Sequence, residues 1–483
     1  MRKSFFFLLM FFICCSACQN WLDEQPENAL FLENALESPD DLQALLNGLY
    51  QLVHSEEFAG RNALLFAELL GGSATLEGEG FENFDNLQVQ PGNNRVFELW
   101  STCYQIINQT NLLLETLPEV VRRYPGFSQE AQNQLTGEAC FLRAYTYHQL
   151  ARYFCRPYSL ENADSLGVPV MLTPVINSSE LQYPGRSSLG EVYDQIMTDL
   201  EQAAANLSTV IVPGRVNQYT VHAMRARLYL EAHAYTAAYD EAGFVINGPF
   251  ELQTDPADVF WEADSQERVW FTLGGLGNQS TASLDWAYTD ARITAKFAQA
   301  TYISGLSSAQ QTNLESAGYQ IADLRGPAKP DWLRPLISQD TLYCLKYNRG
   351  DTFLDFPLFR FTECLLIRAE AALELGQHDE AIAVINQLRQ RGYLVYDSLG
   401  LLVEDGYAML RIESGEYNQA ALKKILQQDR QIELAFEGHL LFDRQRERAE
   451  IRPGITWDHP RLRLPIPQRE LDTSPNLVQN PGY

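Results

Sequence analysis

Glu433 and Glu437 lie one helical turn apart, with His439 and Asp443 close behind them. Two carboxyl groups held on one face are what a glycoside hydrolase needs, one as acid and one as base or nucleophile. The spacing has a second explanation. Arg430, Arg444, Arg446 and Arg448 surround the pair, and opposite charges three or four positions apart stabilise a helix surface. The stretch is read as ion-paired structure and no catalytic residue is assigned. A surface glycosidase built on Glu433 and Glu437 is the enzyme alternative. The seven histidines are scattered without HExxH spacing, and there is no GxSxG elbow. Gly274, Gly275 and Gly277 lack the Gly-Lys-Ser/Thr ending of a phosphate loop, so a strand-end turn accounts for them. No metal site and no cofactor is expected.

Sugar recognition uses different groups: flat aromatic rings for pyranose C–H faces, with amides, carboxylates or guanidinium groups beside them for hydroxyls. Two segments carry that mixture. The first holds Phe81, Asn83, Phe84, Asp85, Asn93, Asn94 and Arg95. The second holds Asn278, Asp285, Trp286 and Tyr288, with Tyr302 further on. An inward role for Phe81 and Phe84, anchoring their own loop, competes with a ligand contact. As a unit, the two loops are the expected binding surface.

Helical patterns dominate the elements that must position these loops. Asp41 to Val53 and Phe97 to Leu117 each read as a helix. Cys140, Ala144, Tyr147, Ala151 and Cys155 recur at helical spacing, placing them on one face where small residues admit a close neighbour. Two segments look like variants of one helix–turn–helix unit. Arg225 to Ala232 leads through His233, Ala234 and Tyr235 to Ala237, Ala238 and Ala242; Leu365 to Leu375 leads through Gly376 to Ala381 and Val384. Gly376 is placed to end its helix in a left-handed conformation and Asp379 to cap the next. Ala237 and Ala381 sit where tetratricopeptide-like pairs need a small residue. Between the helices run long irregular excursions, near 71–95 and 248–305, with a strand expected over Val269–Leu273. No Ser/Gly-rich or charged linker divides the chain, so residues 18–483 are expected to form one body.

The ends and the charge set the compartment. Arg2 and Lys3 precede an apolar run from Phe5 to Ile13, too short to cross a bilayer. Small residues then lead to Cys18. Residues 1–17 are read as a lipoprotein signal peptide and Cys18 as the lipidated first residue of the mature chain. The formal charge of −26 disfavours nucleic-acid binding, which needs basic surface. Beyond the leader, Cys103, Cys140, Cys155, Cys344 and Cys364 are an odd set without CxxC spacing, expected as small buried hydrophobes. Pro465, Pro467, Pro475 and Pro481 rule against a closing helix or central strand, so the C-terminus is expected to wrap over a folded body.

These segments together resemble the SusD/RagB family of outer-membrane nutrient-binding lipoproteins. The resemblance runs from Trp21-Leu22-Asp23 through Trp100, Tyr104, Asn108 and Asn111, then Leu142-Arg143-Ala144 and Asp199-Leu200. It continues through Ala369-Glu370-Ala371, Ile385-Asn386 with Arg389, and Glu433 to Gly438, and ends in Leu464-Pro465-Ile466-Pro467 and Asn480-Pro481-Gly482-Tyr483. It implies a mainly α, tetratricopeptide-like helical-repeat scaffold supporting a variable ligand-binding half. It also implies a non-catalytic cell-surface protein that binds oligosaccharides, or alternatively oligopeptides. The implied partner is a SusC-like TonB-dependent transporter, with the membrane reached through the lipid on Cys18. Starch-binding members take contacts from the two loop regions. The first loop here has no tryptophan, which argues against starch.

Overall fold

The computed structural model describes residues 36–76, 78, 80–262, 264–273, 292–293, 308–324, 344, 346–347, 355 and 357–483. The fold begins with α1 (Pro39–Val53). Ser38 accepts the Asp41 backbone N–H and the Asp41 carboxylate accepts that of Ser38, with Pro39 placed where no helical N–H is needed. Next, α2 (Asn62–Gly71) is buried along its whole length, so it has no polar face to betray its period. Asn93 caps α3 (Asn94–Arg123) and Ser128 caps α4 (Gln129–Phe154). Thus α3 outruns the expected Phe97–Leu117 at both ends, carrying Pro118 inside. All five residues of the Cys140–Cys155 face are buried.

The scaffold continues through α5 (Leu189–Asn206), α6 (Gln218–Glu231), α7 (Tyr235–Ile246) and the short α8 (Asp258–Trp261). After α9 (Ser308–Ser316) come α10 (Phe361–Glu374), α11 (His378–Gly392), α12 (Gln419–Glu433) and α13 (Leu440–Arg446). Consecutive helices pack as pairs: α3 on α4, α4 on α5, α6 on α7, α10 on α11, with α7 against α10. Gly376 ends α10 at φ +81° as its position predicts. Asp379 does not cap α11. It lies inside the first turn and accepts from the Ser414 hydroxyl at 2.5 Å. In the α6–α7 unit Ala238, not Ala237, is fully buried; Ala381 is buried as expected.

Among the described residues the strands form three two-stranded antiparallel ribbons. β1 (Ala74–Thr75) pairs with β3 (Arg292–Ile293), β2 (Arg268–Phe271) with β5 (Pro357–Arg360), and β4 (Gln320–Asp323) with β6 (Tyr393–Tyr396). β2 begins one residue before the expected strand. Its Trp270 is fully buried, edge-on to Phe141 at 5.4 Å and Tyr145 at 5.1 Å on α4, which fastens the excursion to the scaffold.

The C-terminal stretch does wrap the body. The Leu464 N–H donates to Tyr153 O, and the Asn480 amide donates to Phe154 O and Leu464 O. It also contains what the prolines argued against, a helix: the six-residue α14 (Gln468–Thr473). Pro467 precedes the helix and Pro475 lies beyond it, so neither removes a helical hydrogen bond. Cys103, Cys140, Cys155, Cys344 and Cys364 are all buried free thiols. No helix among the described residues is long and apolar enough to cross a membrane.

Candidate functional site

The acidic pair on and just after α12 lies in the core. Glu433 Oε1 accepts from Arg360 at 3.1 Å and from Arg391. Glu437 accepts from Arg360 Nε at 2.7 Å and from Lys346 Nζ at 2.6 Å. Glu267 joins the same cluster, taking Arg360 at 2.8 Å and Arg391 at 2.7 Å. Burial alone would raise the Glu267 carboxyl, but Arg391 and Arg360 outweigh it and hold it below its ordinary value. The ion-paired reading of Glu433 and Glu437 holds, but with other partners. Their cations come from β5, α11 and the 346 segment, while Arg430 and Arg446 pair with Asp443 instead. His439 is driven well below its ordinary value by burial and by nearby arginines, so it stays neutral. Carboxylates enclosed this way stitch elements together and are out of reach of a substrate.

The first loop is built around its two phenylalanines. Phe81 and Phe84 are 0% exposed, and Phe84 stacks on Phe66 of α2 at 4.4 Å. This corrects the expectation that they meet a ligand: a ring in the core cannot also stack on a sugar. Arg95 lies over the Phe81 ring at 5.3 Å and pairs with Glu98 at 3.1 Å. Asn93 is committed as well, its Oδ1 accepting the Val96 N–H and its Nδ2 donating to Gly80 O at 2.8 Å. The Asp85 carbonyl accepts from Arg452. Of the candidate residues, the anchored loop turns outward Asn83, at φ +74°, and Asn94 at the start of α3, with Asp85 half-buried. Of the second loop, Asn278, Trp286, Tyr288 and Tyr302 lie outside the described residues, as does Cys18. The backbone nevertheless joins the two excursions: Ala74 pairs with Ile293 and Thr75 with Arg292.

Beside the first loop lies a cleft of about 480 Å³ that the reading of the loops missed. Trp100, Tyr104 and Asn108 line it from α3, Met171, Val175 and Tyr183 from the segment after α4, and Glu470 and Leu477 from the C-terminal wrap. Tyr104 donates its hydroxyl to Pro169 O at 2.9 Å, and the Asn108 amide spans Val175 through its N–H and C=O at 2.7 and 3.0 Å. Burial raises Glu470, opposed by a hydrogen bond from Trp100. The Gln468 N–H donates to Pro91 O at 2.9 Å, so α14 ties the cleft to the loop. The signal was present in the sequence: Trp100, Tyr104 and Asn108 recur every fourth residue, one helix face with two aromatics and an amide.

Comparison with known proteins adds family to geometry. A family model described as starch-binding and associating with the outer membrane matches residues 20–230. The SusD family model matches residues 246–450. SusD-like protein P2 of Formosa agariphila is 27% identical over 533 residues, covering 100% of this chain and 99% of the relative. SusD-like protein P38 of the same organism is 22% identical, covering 99% and 98%. Among solved structures, a SusD superfamily protein of Bacteroides thetaiotaomicron superposes with a TM-score of 0.71 at 22% identity, over 92% of this chain and 100% of that one. A Bacteroides vulgatus protein described as sugar-binding gives 0.73 at 23% identity, over 93% and 99%.

Proposed function

The chain belongs to the SusD family, and from that premise we propose that it is a non-catalytic surface lipoprotein that binds oligosaccharides and delivers them to a SusC-like TonB-dependent transporter of the outer membrane. The observation that supports this reading is the β1–β3 ladder, in which Ala74 and Thr75 beside the anchored first loop pair with Ile293 and Arg292 of the second excursion. A binding surface on loops fixed to a packed scaffold holds its polar groups in place at little entropic cost. Asn83, Asn94 and Asp85 supply hydroxyl-binding groups at the first loop; Trp286, Tyr288 and Tyr302, with Asn278, supply rings and an amide from the second. The descriptions of relatives as starch-binding and sugar-binding support the ligand class. The enclosure of Glu433 and Glu437 in an ion-pair cluster favours capture over hydrolysis. Cleavage after residue 17 leaves one body, residues 18–483, tethered at the outer membrane through Cys18.

A glycan array probed with residues 19–483, beside a mixed peptide digest on the same surface, tests the ligand class. Retention on one glycan class, lost in Trp286→Ala, is expected. Retention on peptides alone would replace the oligosaccharide with an oligopeptide in the same architecture.

A further inference from the structure

A smaller pocket, of about 50 Å³, lies where the end of α4, the turn after it, α13 and Trp457 meet, and it shares no lining residue with the cleft beside the first loop. Pockets that enclose a whole small-molecule ligand run to about 300 Å³ and more, so this one has room for a substituent and not for a sugar ring. Ala151 and Phe442 give it apolar walls. Gln445 of α13 also lines it and is only 6% exposed. The Gln445 side-chain amide makes no hydrogen bond among the described residues, and unlike the Arg152 Nε it is not sealed from the pocket. A buried amide without partners is costly, whereas a leucine of similar size would fill the place without that penalty.

Most charged groups around the pocket are already engaged. Glu231 accepts from His148 at 2.8 Å and faces Arg152 at 3.6 Å. Both oxygens of Glu370 take Arg446, and Arg448 pairs with Glu161 at 3.3 Å. Arg156, exposed at the rim, has no ion pair among the described residues. The unmatched group inside is thus a neutral amide, which pairs with another amide or a hydroxyl and demands no anion. Trp457 borders the same pocket half-buried, with the Arg448 guanidinium 5.4 Å from its ring centre. An indole partly open to solvent beside a polar pocket is a platform for the C–H face of a pyranose.

We propose that this pocket seats the acetamido group of an N-acetylated amino sugar, with Gln445 donating to its carbonyl oxygen, Ala151 and Phe442 around its methyl group and Trp457 beside the ring. An acetamido group matches the pocket in size, in its polar amide and in its apolar end, whereas a bare hydroxyl would leave the apolar walls without contacts. The pocket contains no residue of the two loops, and the inference does not depend on what they bind.

Saturation-transfer NMR titration of residues 19–483 with the methyl glycosides of N-acetylglucosamine, glucose and glucuronic acid tests it. The N-acetylated sugar is expected to bind at least tenfold more tightly than glucose, with the strongest transfer to its acetyl methyl protons. Gln445→Leu, which keeps the volume and removes the amide, is expected to weaken that binding at least tenfold, with folding checked by thermal unfolding. Trp457→Ala, a change nearer the surface, should weaken it similarly. N-acetylglucosamine binding that survives both substitutions would belong elsewhere on the chain and would overturn the proposal. So would equal or absent binding of all three sugars, or tightest binding of the glucuronide, which would make Arg156 the recognising group.

Discussion

Glu433 and Glu437 show one spacing serving two chemistries, with burial deciding between them. A carboxylate in a cleft can exchange protons, whereas one enclosed by Arg360, Arg391 and Lys346 has its charge fully committed. Removing one member of a buried ion pair leaves its partner uncompensated, typically at about 3–5 kcal/mol. Glu437→Gln is therefore expected to lower unfolding free energy in urea by about that much and to change no sugar turnover. The long-range partners could not be read from the sequence, where the neighbouring arginines were the visible choice. Glu68 offers a test by pH. Burial pushes it up to about 7 from an ordinary 4.5, against hydrogen bonds from Ser73 and the Gly438 N–H. Between those values the folded chain keeps a proton that the unfolded chain has lost. The resulting stabilisation is complete below pH 4.5 and is lost as pH rises through 7. A Glu68→Gln variant should flatten this part of the stability-versus-pH curve, measured by thermal unfolding at fixed ionic strength.

At the scale of elements, the first loop is held by its aromatic anchor rather than by regular structure. Phe84→Ala would empty the stack on Phe66, and losses of this kind cost about 3–5 kcal/mol. The loop should then open locally, with faster protease cleavage between Gly78 and Gly92 and faster amide exchange at Thr75 than in the parent. Cleavage unchanged from the parent would show that the ladder to β3 alone holds the loop. The helix bodies over Asp41–Val53 and Phe97–Leu117 were legible through their apolar periodicity, but their starts were not: Ser38 went unread as a cap, and Asn93, which caps α3, was assigned to the ligand-binding loop. α2 was not legible: buried all round, it has no polar face, and so the partner of Phe84 went unseen. The β1–β3 pairing was equally hidden, because two-residue strands leave no alternation to read.

For the whole molecule, the proline-bearing terminus works as a strap. Leu464 and Ile466 are fully buried, and Asn480 ties the far end to Phe154 and Leu464. Arg186 reaches the same end through Val478 O at 3.2 Å and the Asn480 side chain at 2.8 Å. Deleting residues 475–483 should lower the melting temperature by several degrees, as expected for a loss of one to a few kcal/mol in a protein of this size. That the chain wraps was legible from its prolines; that α14 fits between two of them, and borders a cleft, was not. The packed helices thus carry the first loop, the cleft and the strap together. The most direct test is calorimetric titration of residues 19–483 with the best-retained glycan, then chromatography of the recovered sugar. Saturable heat with the glycan intact, and at least tenfold weaker binding in Trp286→Ala, is the predicted result. Released products, or affinity unchanged by Trp286→Ala, would contradict a non-catalytic receptor that binds through its loops.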